Sequence, residues 1–150
     1  MHRLLEWQPL HRGSAQFAVT EAQVAAVVRE FQLNEEQAVR AQAMGRGIRE
    51  GEGQWAWRAD LLGWCGNEVE LAHQGQILRL DRLVQRSDTA QWWVLDYKSS
   101  AQPLAVADLV LQLTQYRDAV AASYPVQPVQ AAFLTPDGKV HALPFATKIN

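Results

Sequence analysis

Gly75-Gln-Ile-Leu-Arg-Leu-Asp81-Arg-Leu-Val-Gln-Arg86, followed after a polar turn by Trp92-Trp-Val-Leu-Asp96-Tyr-Lys98, decides how this chain is read. Both runs have strand-like periodicity, and a short polar segment from Arg86 to Ala90 separates them, as expected for an antiparallel pair. With Glu68 to Ala72 before the Gly75 turn, Ile77 to Gln85 and Trp92 to Lys98 complete a predicted three-strand meander. Strand alternation sets Asp96 and Lys98 side by side on one face, at the end of an apolar run. Asp81 lies in the strand that pairs with this one, so the hairpin can bring the two aspartates together. Charges at the mouth of an apolar strand are costly to bury unless they are paired or bound to metal. Two or three such oxygens, with water and phosphate, suit octahedral Mg²⁺, or Mn²⁺ in its place. On spacing alone, a salt-bridged strand end explains an Asp-x-Lys string better than a site does.

Outward from this hairpin, Ala105 to Ser123 carries Leu109, Leu113, Tyr116 and Val120 on one helical face, and Pro125 ends it. Val129 to Thr135, the Asp137-Gly138 turn and Lys139 to Leu143 form a last hairpin. On the N-terminal side, Thr20 with Gln23 and Asn34 with Gln37 read as capping boxes. They open packing helices through Val24, Val27, Val28 and Phe31, and through Val39 to about Ile48. Gly45, Gly47, Gly51 and Gly53 are expected to loosen the chain before Trp55, Trp57 and Trp64. A helix starts abruptly at His2, which suggests a piece of a longer polypeptide. The expected organisation is one α/β domain over residues 1–150, with a helical region at 1–66 and a catalytic core at 67–143.

A length of 150 residues with 48% hydrophobic content suffices for one core. The net charge of -2 lacks the basic excess of a sequence-independent nucleic-acid binder. Cys65 is the one cysteine, which excludes intramolecular disulfides and a cysteine-held iron–sulfur cluster. It reads as a small buried residue. No secretory pattern, membrane-length apolar run or phosphate-binding Gly-x-x-x-x-Gly-Lys loop is present, so the expectation is a cytoplasmic protein that does not engage a membrane and is not itself a motor.

Gly75 to Val84 with Asp81-Arg-Leu, Val94-Leu-Asp96-Tyr-Lys98-Ser and Gln112-Leu-Thr-Gln-Tyr116 together resemble the ordered motifs of RecB-type nuclease domains. These belong to the PD-(D/E)xK superfamily and sit at the C-terminus of UvrD-like helicase subunits in recombinational repair. The resemblance implies a restriction-endonuclease-like mixed sheet in the order α-β-β-β-α-β, and metal-dependent hydrolysis of DNA, expected to be exonucleolytic and to act on single strands. Asp81, Asp96, Lys98, Gln112 and Tyr116 then become catalytic candidates. His2-Arg3-Leu4-Leu5-Glu6 matches a segment whose histidine ligates metal, and Glu68 falls at an acidic position of the first core strand. The metal set implied is therefore His2, Glu68, Asp81 and Asp96, without an iron–sulfur cluster. Helicase motor domains are the implied partners.

Arg79, Arg82 and Arg117 are candidates for phosphate contacts, which need charge rather than base-reading geometry. Each reads equally well as a surface residue or a carboxylate partner. His2 reads nearly as well as a surface histidine, Glu68 as a solvated edge charge, and Tyr116 as a core aromatic. His11, His73 and His141 read as surface or structural. A catalytically silent module that binds DNA or docks a partner, and a sequence-specific restriction-type enzyme, are the rival functions.

Overall fold

The structure is a computed structural model and describes residues 1–144; the last six residues of the expected 1–150 domain lie outside that range. Three helices come first, α1 His2–Glu6, α2 Glu21–Phe31 and α3 Glu35–Arg49. Both predicted capping boxes are present: Thr20 and Asn34 accept from the third backbone N–H of their helices, and Gln23 and Gln37 reach back. Strands β1 Leu62–His73, β2 Gln76–Arg86 and β3 Trp92–Tyr97 follow, then helix α4 Ala107–Ser123 and strands β4 Val129–Leu134 and β5 Val140–Ala142. Among the described residues the five strands form one sheet in sequence order. β1, β2 and β3 are antiparallel neighbours, β4 runs parallel to β3, and β5 returns antiparallel to β4. The crossover from β3 to β4 is made by α4, because parallel strands need a long connection.

This is the mixed α/β architecture that the motif resemblance implied, with helices ahead of the sheet. Its boundaries differ in places. β1 begins at Leu62, so the last residues of the supposed helical region 1–66 are strand; Trp64 to Gly66 pair with Gln85 to Leu83. Gly45 and Gly47 do not loosen the chain but lie inside α3. They are there for packing. A Cβ at Gly45 would sit 3.0 Å from the Phe17 ring, and one at Gly47 would sit 1.9 Å from the Pro136 carbonyl oxygen. Helix α4 starts at Ala107, after a 3-10 turn at Pro103–Ala105. β3 ends one residue before Lys98, whose backbone N–H still bonds to Leu134 O at 3.1 Å.

The sheet divides two apolar layers. On one side Leu5, Ile48, Trp57, Val84, Leu95, Tyr97 and Leu134 pack together. On the other, Leu83, Val94, Leu113, Val120, Ala131 and Phe133 bury the inner face of α4. A smaller cluster of Leu4, Phe17, Val27 and Ala41 joins the N-terminal helices. Helix α1 has only five residues and would not persist alone, but Leu4 and Leu5 are 1% and 0% exposed, each in a different cluster. Two buried leucines therefore fix the residue they follow, His2, against the end of the sheet.

Candidate active site

Antiparallel pairing of Arg82 with Leu95 and Leu83 with Val94 carries on to set Asp81 opposite Asp96. The Tyr97 backbone N–H donates to Asp81 Oδ2 at 2.9 Å, which fixes that carboxylate at the end of β3. His2 Nε2 lies 3.2 Å from the same oxygen, and its ring meets Tyr97 edge-on at 5.5 Å. Lys98 Nζ is 2.9 Å from Asp96 Oδ2. That contact balances charge but lies off the direction of a hydrogen bond, so the buried Oδ2 has no hydrogen-bond donor among the described residues. An imidazole, two carboxylates and an amine thus converge where β3 meets α1 and α4.

The electrostatics follow from two acids sharing a small buried space. Burial, and then the neighbouring Asp81, push the Asp96 carboxyl up to about 7 against the opposing pull of Lys98. For Asp81, burial works upward but is outweighed by hydrogen bonds to His2 and Asp96 and by the charge of His2, which hold it below the usual range. The hydrogen bond to Asp81 raises His2 against a smaller opposing effect of burial. The two aspartates titrate as one unit, with Asp96 the member that holds a proton more tightly.

This donor set fits a divalent cation. Two carboxylates and one imidazole are hard and borderline ligands of the kind Mg²⁺ or Mn²⁺ accepts, and the orphaned Asp96 oxygen is an acceptor left facing inward. Glu68 is close but not joined to it. It falls across from Asp81, between the paired Asn67–Arg82 and Val69–Leu80, and its backbone is left-handed at φ 49°. Its carboxylate turns to Arg79 at 3.7 Å. Among the described residues no three His, Cys, Asp or Glu side chains form a ready metal cluster.

The remaining candidates separate. Tyr116 on α4 is half-buried, and burial, then Asp96 and Asp81, raise its phenol, which places it within electrostatic reach of the pair. Gln112, one turn earlier, is exposed. Arg79 is engaged by Glu70 at 2.7 Å, its direct cross-strand partner. Arg117 donates to Pro144 O at 3.2 Å and stands 3.6 Å from Asp118. Arg82 is a correction to the expected phosphate contact: it is 1% exposed, donates twice to Ala56 O and once to Asn67 Oδ1, and lies 4.6 Å over the Trp57 ring. It faces inward because Asp81, its neighbour on the strand, faces the other side.

That arginine leads to residues that the motifs did not mark. Asn67 accepts from Arg82 and donates to Glu6 O at the end of α1 at 3.1 Å. The helix that carries His2 is thereby tied to the residue beside Asp81. Arg49 lies 5.2 Å from the same Trp57 ring, which itself stacks on Tyr97 at 6.2 Å. Burial, then the charge of Arg82, lower the Arg49 guanidinium to about 10. Nothing in the spacing of Arg49, Trp57 and Asn67 announces this brace, since they are brought together only by folding. His11, expected to be surface or structural, belongs to it through a 2.8 Å contact with Arg49.

A family model, the PD-(D/E)XK nuclease superfamily, matches residues 1–144. The chain belongs to that superfamily, whose members are nucleases that generally use divalent metal ions. The match runs through both the N-terminal helices and the sheet, so α1 and His2 are part of the domain that it defines. A comparison with curated proteins finds no match. Among the described residues no helix is long and apolar enough to cross a membrane.

Proposed function

We propose that this chain is the Mg²⁺-dependent, exonuclease-type cutting module of a helicase-nuclease in recombinational DNA repair, acting on single strands. The observation that carries the hydrolytic part of this reading is the convergence of Asp81, Asp96, His2 and Lys98 on one point. Asp81, Asp96 and His2 would hold the cation, with Glu68 joining if its side chain turns from Arg79. A divalent cation bound there neutralises charge on the scissile phosphate and lowers the pKa of water.

The chain's own residues do the rest. Asp96 would serve as a ligand in its deprotonated form. Lys98, held 2.9 Å from Asp96, offers donors to the attacking water and to the charge that grows on the phosphate oxygens. Tyr116 on α4, close enough to feel the charge of Asp96 and Asp81, would contact phosphate through its hydroxyl. Gln112 is exposed one turn earlier on the same helix and would touch the strand as it leaves. Arg79 and Arg117 are each paired with a carboxylate, and would meet a phosphate only by exchanging that partner for it. Repair function, motor partners and single-strand preference rest on the ordered motifs from Asp81 to Tyr116.

A silent DNA-binding or docking module is the second reading, favoured by the lack of a ready three-ligand cluster among the described residues. Single-stranded DNA incubated with the protein and Mg²⁺ or Mn²⁺ should be cut, and Asp96→Ala and Lys98→Ala should each lower the rate at least 100-fold, an expectation on the scale of losing about 3 kcal/mol of transition-state stabilisation. Binding without cleavage by the parent, or equal cleavage by the variants, would defeat the enzyme and leave the silent module.

A further inference from the structure

Phe31 ends helix α2 and remains 54% exposed, although its place in the amphipathic pattern predicts a packing residue. It stands at a cavity of about 470 Å³ between the three N-terminal helices, walled by Val27, Phe31, Leu33, Ala41 and Met44. That size falls within the ~300–1,000 Å³ typical of small-molecule sites. His2 and Arg3 line this hollow too, and with Phe31 they also line a polar cleft of about 290 Å³ that holds Glu68 and Arg79. The two hollows share His2, Arg3 and Phe31 as walls. His2, which touches Asp81 at 3.2 Å, thus borders both hollows, and Phe31 stands between the polar one and the one walled by aliphatic and thioether groups.

An anion at one end and a flat apolar face at the other is the repeating chemistry of a nucleic-acid strand. Bases stack on aromatic side chains whatever their identity, but only when they are unpaired and unstacked. Arg3 is held by Glu6 at 2.6 Å and by Glu30 at 2.7 Å, so its stem serves as wall and its charge is already balanced. Arg40 is 68% exposed and only loosely set against Glu36 at 3.6 Å, and it is the rim cation that a neighbouring phosphate can recruit.

We propose that this hollow is a base-binding subsite, which stacks one unpaired base on Phe31 while a backbone phosphate of the same strand lies at Asp81 and Asp96. It rests on the nuclease reading above and adds to it a physical reason for single-strand preference. The seated base also sets the distance from pocket to cut, so cleavage should depend on whether a base is present at one fixed position.

The test uses the full chain with single-stranded oligonucleotides that carry one 2-aminopurine at successive positions, in Ca²⁺ to allow binding without turnover. Fluorescence should be quenched at one position, and Phe31→Trp should keep that signal. Phe31→Ala should lose it and bind the strand on the order of ten-fold more weakly; the side chain is exposed, and circular dichroism checks that the variant folds. In Mg²⁺, an abasic residue at the same position should slow cleavage by the parent but not by Phe31→Ala. Uniform fluorescence along the strand, an unchanged signal in Phe31→Ala, or equal affinity for duplex DNA overturns the subsite even if the parent cuts. A parent that quenches at one position yet never cuts overturns the nuclease reading and leaves the subsite standing.

Discussion

At Asp96 a carboxyl group is held 5% exposed, across from a second carboxyl and beside Lys98. Its pKa near 7 in the folded chain, against 3.8 for the free group, means that the native state binds more protons than the unfolded one between about pH 4 and pH 7. Stability of the metal-free protein therefore falls as pH rises through that window, by an amount on the order of a few kcal/mol. His2 adds to the fall. Its raised pKa gives a contribution that is complete below its unfolded value of 6.5 and lost as pH rises through the folded value. Asp81, lowered in the fold, gives a contribution present above 3.8 and lost only in stronger acid. Thermal unfolding in EDTA should show a midpoint that declines from pH 5 to pH 8, and Asp96→Asn should flatten the decline and raise the midpoint at pH 8. Mg²⁺ should stabilise the parent more at pH 8 than at pH 5.5, because the ion replaces the shared proton. A flat parent profile, or an Asp96→Asn profile as steep as the parent's, would show that the carboxylates do not share a proton. The Asp81, Asp96 and Lys98 triplet was legible from alternation and motif order, while its charge state was not, because that depends on burial by α1 and α4.

Among the elements, α1 is the least self-sufficient and the most consequential. Five residues cannot hold a helix, and its place is set by Leu4, Leu5 and the Asn67 side chain that bonds Glu6 O at 3.1 Å. Asn67→Ala removes that bond and leaves Arg82 short of an acceptor, at an expected cost of about 1–2 kcal/mol in stability. Metal affinity, measured by isothermal titration, should also weaken, because His2 is no longer held at Asp81. In an Asn67→Ala background, His2→Ala should then cost less affinity than it does in the parent, the non-additivity expected of coupled residues. Strict additivity would mean that the Asn67 tie does nothing for His2. The capping boxes at Thr20 and Asn34 were legible because each satisfies helix ends within four residues of sequence. Phe31 was misread as packing because periodicity counts apolar residues on a face without saying whether the face is covered.

Across the whole molecule, α3 is locked to the β4–β5 turn at a point where no side chain fits. Gly47→Ala would put a Cβ 1.9 Å from the Pro136 carbonyl oxygen, and backbone rather than a pliable side chain must yield. The expected loss is about 1–3 kcal/mol, or a fall of several degrees in the unfolding midpoint at roughly 2–4 °C per kcal/mol for this chain length. A midpoint within a degree of the parent would show that helix and turn can part without cost. Close approaches of this kind explain why Gly45 and Gly47, which read as a loosened linker, lie within a helix: the packing outweighs their poor helix propensity.

The sequence by itself determined the succession of strands and helices along the chain, the capped helices and the face on which Asp96 and Lys98 stand, because each follows from local periodicity and hydrogen bonding within a few residues. Only the tertiary structure decided that Arg82 turns inward onto Trp57, that Glu68 leans to Arg79, and that a five-residue helix delivers His2 to Asp81. Those outcomes depend on which surfaces bury each other across long stretches of chain, as His2 and Asp81 do from 79 positions apart. No local pattern encodes such meetings; the burial of Leu4, Leu5, Trp57 and Tyr97 does.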